Sequence, residues 1–193
     1  MFMCCPVRYD VNIQVNERGG RMTVVVPPAG RYVVDPGRSE ITFTAKHQFG
    51  LGTVRGGFSL RTAEITVTDP PASSAVRVSV DATSFDSGHK GRDGKVKSKT
   101  FLDVERHPEI AFESTGVTVD SAGNWTVRGI LTARGEKAPV ELAVVDAKTA
   151  GTELTLTATT VVDRYAHGIT AMKGMAGRHL HLTAQVRAHR QGA

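Results

Sequence analysis

The chain has 193 residues, 40% hydrophobic and 22% charged, with 20 glycines, proportions that exclude a collagenous or disordered polypeptide and suit one globular domain. A formal net charge of +5 favours anionic partners, whether nucleic acid, a phospholipid surface or a phosphorylated small molecule, without choosing among them. No apolar run approaches the roughly 18 residues of a membrane-spanning helix, and the two cysteines, adjacent at Cys4 and Cys5, supply no disulfide framework.

Residues 1–30 read as an extension. Met1-Phe2-Met3-Cys4-Cys5-Pro6 is soon followed by Arg8 and Asp10, so no secretory h-region forms and a cytoplasmic, reduced protein is expected. Adjacent cysteines also lack the usual spacing of metal ligands. Val11-Asn12-Ile13-Gln14-Val15 and Met22-Thr23-Val24-Val25-Val26 flank Arg18-Gly19-Gly20, the pattern of a β-hairpin. Pro27-Pro28-Ala29-Gly30 then leads into the main unit, residues 31–193.

From about residue 40 the apolar period is two, the signature of half-buried strands. Phe43, Ala45 and His47 share a face with Ile41; Val54, Gly56, Phe58 and Leu60 form the next set, and Ala63, Ile65 and Val67 another. The parity slips between Leu60 and Ala63, which predicts a tight turn there. The alternation continues through Val76, Val78 and Val80, Ile110 and Phe112, Trp125 and Val127, then Val140, Leu142 and Val144. Leu154, Leu156 and Ala158 follow, and Leu180, Leu182, Ala184 and Val186 close the series. Asp69-Pro70-Pro71, Ser121-Ala122-Gly123-Asn124, Arg134-Gly135 and Ala150-Gly151 are turn chemistries between these runs. About eight to ten short strands with one apolar face each predict a sandwich or an up-and-down barrel, and missing crossover helices exclude a parallel sheet.

Two segments break the rhythm. Ser87 to Leu102 is strongly basic and is expected to form a loop with a short helix, although Lys95-Val96-Lys97-Ser98-Lys99 also alternates as a strand would. The second lies around Asp163-Arg164-Tyr165-Ala166-His167-Gly168. Irregular connections of this kind are the candidate functional loops.

At about eight strands a barrel interior is either plugged by side chains or open to one ligand. The inward set mixes small residues (Ala45, Gly56, Ala63, Gly129, Ala158, Thr160, Ala184) with Phe43, Phe58, Phe112 and Trp125, a lining suited to an extended hydrocarbon. A close-packed core remains the alternative on pattern alone.

The order of motifs from about Arg31 to Arg187 resembles the YceI-like family of lipocalin-like, polyisoprenoid-binding proteins. Those motifs are Tyr32-Val33-Val34-Asp35-Pro36 with Ser39, Phe43 and His47; Gly56-Gly57-Phe58; Arg92-Asp93, Ser98, Phe101, Asp103-Val104 and His107-Pro108. Gly129-Ile130-Leu131-Thr132, Arg134-Gly135, Pro139-Val140-Glu141-Leu142 and Asp163-Arg164 with Gly168 complete the series. The resemblance implies an eight-stranded antiparallel lipocalin-like barrel with one or two short helices, here with an extra N-terminal β-hairpin. Its cavity would take a hydrocarbon tail, with a polar head toward the opening. Val96 stands where a leucine is usual, and the hairpin lies outside the family pattern.

The expected function is binding, storage or transport of a long-chain isoprenoid or fatty lipid, with an anionic head group and homodimerisation left open. No enzyme activity, cofactor or metal is expected. The expected ligand-binding residues are Phe43, Ala45, His47, Phe58, Phe85, Arg92, Phe101, Phe112, Trp125, Leu142, Leu156, Ala158 and Arg164. His47 could donate to a head group or to a carbonyl; Arg92-Asp93 and Asp163-Arg164 could anchor their loops or leave an arginine free for phosphate. His179 and His181 share a face but lack a third metal ligand. Two other classes compete: a nucleic-acid-binding barrel using residues 89–99, disfavoured because the aromatics alternate inward, and an enzyme on an isoprenoid substrate, for which no acid/base pair stands out.

Overall fold

The computed structural model describes residues 13–15, 21–23, 25–47, 52–121 and 123–192, with residues 13–15, 21–23 and His47 described by backbone alone. Strands β1 (Ile13–Val15) and β2 (Arg21–Thr23) pair antiparallel as a two-stranded ribbon. Beyond it Val25 is not in a strand, and its N–H donates to the Ala147 carbonyl at 3.1 Å. Cys4 and Cys5 lie outside the described residues.

The rest is a closed antiparallel barrel of eight staves. The first stave is broken: β3 (Gly30–Val34) and β4 (Glu40–His47) both pair with β5 (Gly52–Val67) on one side and β11 (Ala176–Arg190) on the other. Between them Pro36–Arg38 makes one 3-10 turn, started by the Asp35 side chain accepting from the Gly37 N–H at 2.9 Å. The meander then runs through β6 (Ala75–Asp86), β7 (Glu109–Val119), β8 (Trp125–Ala133), β9 (Glu136–Ala150) and β10 (Glu153–Asp163) to β11. Pairing of β11 with both β10 and the first stave leaves the barrel without an edge to guard.

Local chemistry sets the turns. Arg134 and Gly135, at φ 53° and 78°, form the two-residue connection between Ala133 and Glu136, the left-handed pair that matches strand twist. Gly151, at φ 59°, opens the equally short turn from Ala150 to Glu153.

The parity slip after Leu60 is not a turn: β5 runs unbroken for 16 residues, and its register against β6 shifts between Leu60 and Thr62. A β-bulge restores the inward parity of Ala63 without reversing the chain. Several strands are correspondingly long rather than short, with 15 residues in β9 and in β11.

The basic segment folds as helix α1 (Lys90–Lys97) rather than as a strand. Two glycines make it a poor helix on propensity, so its ends carry it. The His89 side chain accepts from the Arg92 N–H, and the Ser98 N–H donates to the Gly94 and Lys95 carbonyls. Both long connections, β6 to β7 and β10 to β11, emerge at the α1 end of the barrel, where Phe101, Leu102 and Ile169 pack on Val96 and Phe58. At the opposite end, Tyr32, Val34, Leu60, Val67, Leu154 and Ala188 form a tight cluster.

Candidate ligand-binding cavity

Inside the barrel lies a cavity of about 620 Å³, walled by residues of every stave. Phe43, Ala45, Phe58, Phe85, Arg92, Phe101, Phe112, Trp125, Leu142, Leu156, Ala158 and Arg164 all line it. His47 holds its expected place at the end of β4, paired with Gly52, but its side chain is outside the description.

The wall is built from paired large and small residues. Phe43, Phe58 and Phe85 form a contiguous aromatic group, with Phe85 5.3 Å from each of the other two between ring centroids. This group depends on Gly56, directly opposite Phe43 across the ladder: a Cβ there would come within 2.8 Å of the Phe43 ring. Gly129 does the same for Phe112, whose ring would lie 2.5 Å from an added Cβ. Ala45, Ala63, Ala158 and Ala184 also line the cavity, each presenting no more than a methyl group. Phe112, Val117, Trp125 and Val127 form the deep aromatic wall.

Polar groups gather toward the α1 end. Arg92 is anchored: its Nε donates to Ser87 Oγ at 2.7 Å and Nη2 to the Ser87 carbonyl at 3.2 Å. The Ser87 hydroxyl in turn donates to Asp93, and this bond, more than any nearby cation, holds the Asp93 carboxyl below its ordinary range. Arg164 is likewise committed, its three nitrogens donating to the carbonyls of Gly177, Ile169 and Ala176 at 2.6 to 3.0 Å. Its guanidinium also lies over the rings of Phe101 and Tyr165. Burial pushes Arg164 below its usual value, and it is still the cation that ties the β10–β11 connection to the barrel. Next to it Asp163 accepts from Arg178 Nε and Nη2, which lowers its carboxyl from 3.8 to about 2. Lys95 reaches the cavity wall and is exposed.

His167 was not among the residues expected from sequence. It is 1% exposed and lines the cavity; Nδ1 lies 3.1 Å from the Glu136 carbonyl and Nε2 is buried without a partner. A carbonyl can only accept, so Nδ1 is the donor in that bond. A histidine in an irregular connection follows no period, and only its place between Arg164 and Gly168 could have drawn attention to it. His179 and His181 are exposed on β11.

An eight-stave antiparallel barrel enclosing an apolar cavity, with polar groups collected at one end, defines a lipocalin-like barrel. The chain belongs to the YceI-like family, whose domain model matches residues 32–188. A UPF0312 protein of Vibrio cholerae is 34% identical over 116 residues, 58% of this chain and 60% of the relative. One from Azotobacter vinelandii is 33% identical over 123 residues, 60% of this chain and 61% of the relative. The chain thus spans about 60% of the length of these curated relatives. Among solved structures, Burkholderia cenocepacia BcnA is similar in fold at TM-score 0.71 and 20% identity, covering 80% of this chain and 98% of that one. A polyisoprenoid-binding domain from Saccharophagus degradans, implicated in plant cell wall breakdown, follows at TM-score 0.62 and 12% identity, covering 82% and 98%.

Proposed function

We propose that the barrel binds a long-chain polyisoprenoid or similar amphiphilic lipid, tail along the barrel axis and head toward α1, for storage or transport. The observation that carries this reading is the continuous apolar cavity of about 620 Å³, within the roughly 300 to 1,000 Å³ usual for ligand sites. Burial of each CH₂ contributes up to about 0.8 kcal/mol, so part of a tail outweighs the ordering cost of binding. The likeness to the Saccharophagus domain, described as polyisoprenoid-binding, agrees with it.

Polarity orients the cargo. Leu154, Val67 and Tyr32 occupy the end away from α1, whereas Lys95 and the unpartnered Nε2 of His167 lie at the α1 end. A head-group hydroxyl reaching Nε2 would satisfy that atom. The role is that of a binder, since Arg92, Arg164 and Thr160 on the wall already bond to Ser87, backbone carbonyls and the Glu141 carbonyl.

Trp125, the single tryptophan, lines the cavity and reports on occupancy. Organic extraction of the purified protein followed by mass spectrometry should yield an isoprenoid lipid. Titrating the delipidated protein with a long prenyl alcohol should change Trp125 emission saturably. A folded protein that yields no lipid and shows no saturable change would refute the reading.

A further inference from the structure

Cations are matched differently along the barrel. On the staves and at the end away from α1, Arg31 pairs with Glu64, Arg61 with Asp81, Arg77 with Glu113, Arg128 with Glu141, Lys148 with Asp146, and Arg38 and Arg187 share Glu153. At the α1 end the arginines Arg106 and Arg178 pair with Asp103 and Asp163, whereas Lys90, Lys95 and Lys99 are exposed and form no ion pair among the described residues; the same holds for Lys173 in the β10–β11 connection.

Lys173 stands between Met172 and Met175, which are 38% and 51% exposed and also line the cavity. Their projection is built in. Met172 adopts a left-handed φ of 53°, and its carbonyl accepts from the Met175 and Ala176 N–H groups at 3.1 and 2.9 Å, closing a tight turn. Lys173 Nζ lies 5.5 Å from the centroid of the Tyr165 ring. Flexible thioether side chains are therefore held at the cavity's border, half out of the protein, among unmatched ammonium groups.

The complement of such a face is apolar inside and anionic outside, the profile of an anionic phospholipid bilayer. We infer that the α1 end is a docking face for that surface. Met172 and Met175 enter the head-group layer while Lys90, Lys95, Lys99 and Lys173 meet lipid phosphates, so that the cavity opens toward the bilayer. The inference rests on the lipid-binding reading for its purpose, while docking itself is measured separately.

The test sediments the full chain with large vesicles of phosphatidylcholine alone or mixed with phosphatidylglycerol at low salt. The chain should pellet with the anionic vesicles and not with the neutral ones. A basic residue near such a surface strengthens partitioning about fivefold, so changing Lys90, Lys99 and Lys173 together to Ser should weaken it on the order of a hundredfold, and Lys99→Ser alone about fivefold. Changing Arg31, Arg77 and Arg128 to Ser removes the same formal charge from the matched surface and should leave partitioning nearly unchanged. Met172→Ser with Met175→Ser should weaken it as well.

Equal loss from both triple variants would reduce the effect to overall charge and overturn the docking face. Failure to bind anionic vesicles would overturn it too, as would retention on immobilised polyglutamate without vesicle binding, which would mark an acidic protein as the partner. Prenyl-alcohol binding, read in parallel by Trp125 emission without vesicles, separates the two readings. A chain that binds the alcohol and ignores vesicles loses the docking face alone, and one that docks and ignores the alcohol keeps the face and loses the cargo.

Discussion

Ala158 lies on β10 between Val144 of β9 and Ala184 of β11, 8% exposed, with its methyl on the cavity wall. Ala158→Phe places a ring of about six carbons where the tail would run; at about 0.8 kcal/mol per CH₂, displacing as many methylenes forfeits up to about 5 kcal/mol. A tail that shifts aside recovers part of this, so prenyl-alcohol affinity should fall at least about a hundredfold, equivalent to about 2.7 kcal/mol. Overpacking a filled core costs about 1–3 kcal/mol, but this ring enters open volume, so the melting temperature should hold or rise. Val161 is the control: three residues along the strand and 51% exposed, it faces solvent, and Val161→Phe should leave affinity unchanged. Titrations followed by Trp125 emission, beside thermal melts, read both quantities. An Ala158→Phe protein that is folded and binds as tightly as the parent would mean that the tail is not in the barrel.

Arg164→Met should cost about 3–5 kcal/mol in urea unfolding because three carbonyls lose their donor together; a loss under about 1 kcal/mol would show that those bonds are replaceable. Gly129→Ala should destabilise by about 3 kcal/mol, since the new Cβ meets the Phe112 ring at 2.5 Å and the Glu113 carbonyl oxygen at 2.4 Å. Asp163 is depressed by Arg178, so its contribution to stability is complete above 3.8 and is lost as pH falls toward about 2. Asp163→Asn should flatten that acid limb, and an unchanged slope would assign the limb to other carboxylates. His167→Leu should lower affinity for a prenyl alcohol by about 1 kcal/mol while sparing the matching hydrocarbon; equal losses for both ligands would indicate a packing role only.

The strand faces were legible because a period of two survives wherever one side of a stave meets a cavity and the other meets water. Phe43, Phe58, Phe112, Trp125, Leu142 and Leu156 all follow it to the wall. The slip after Leu60 was visible but ambiguous, because a bulge and a turn shift parity alike and differ only in whether the partner strand continues alongside. Helix α1 was legible as a short helix within a basic segment, but its bounds were obscured by glycines and by the alternation of Lys95 to Lys99; its caps are contacts with residues outside it. His167, Met172 and Met175 escaped for a related reason. Connections carry no period, so what faces the cavity there is decided by hydrogen bonds such as those of Arg164, which join residues 5 to 13 positions apart.

Closure of the ladder around the barrel restricts how cargo can be exchanged. Each stave pairs with both neighbours, and although the β9–β10 pairing stops at Ala143 and Thr159, no slit runs the whole length of the flank among the described residues. A tail held as proposed must then leave as a thread drawn end-on, each isoprene unit passing the same border in turn. Residence time becomes a ruler of tail length: short prenyl chains exchange freely, and each added unit slows departure by a similar factor.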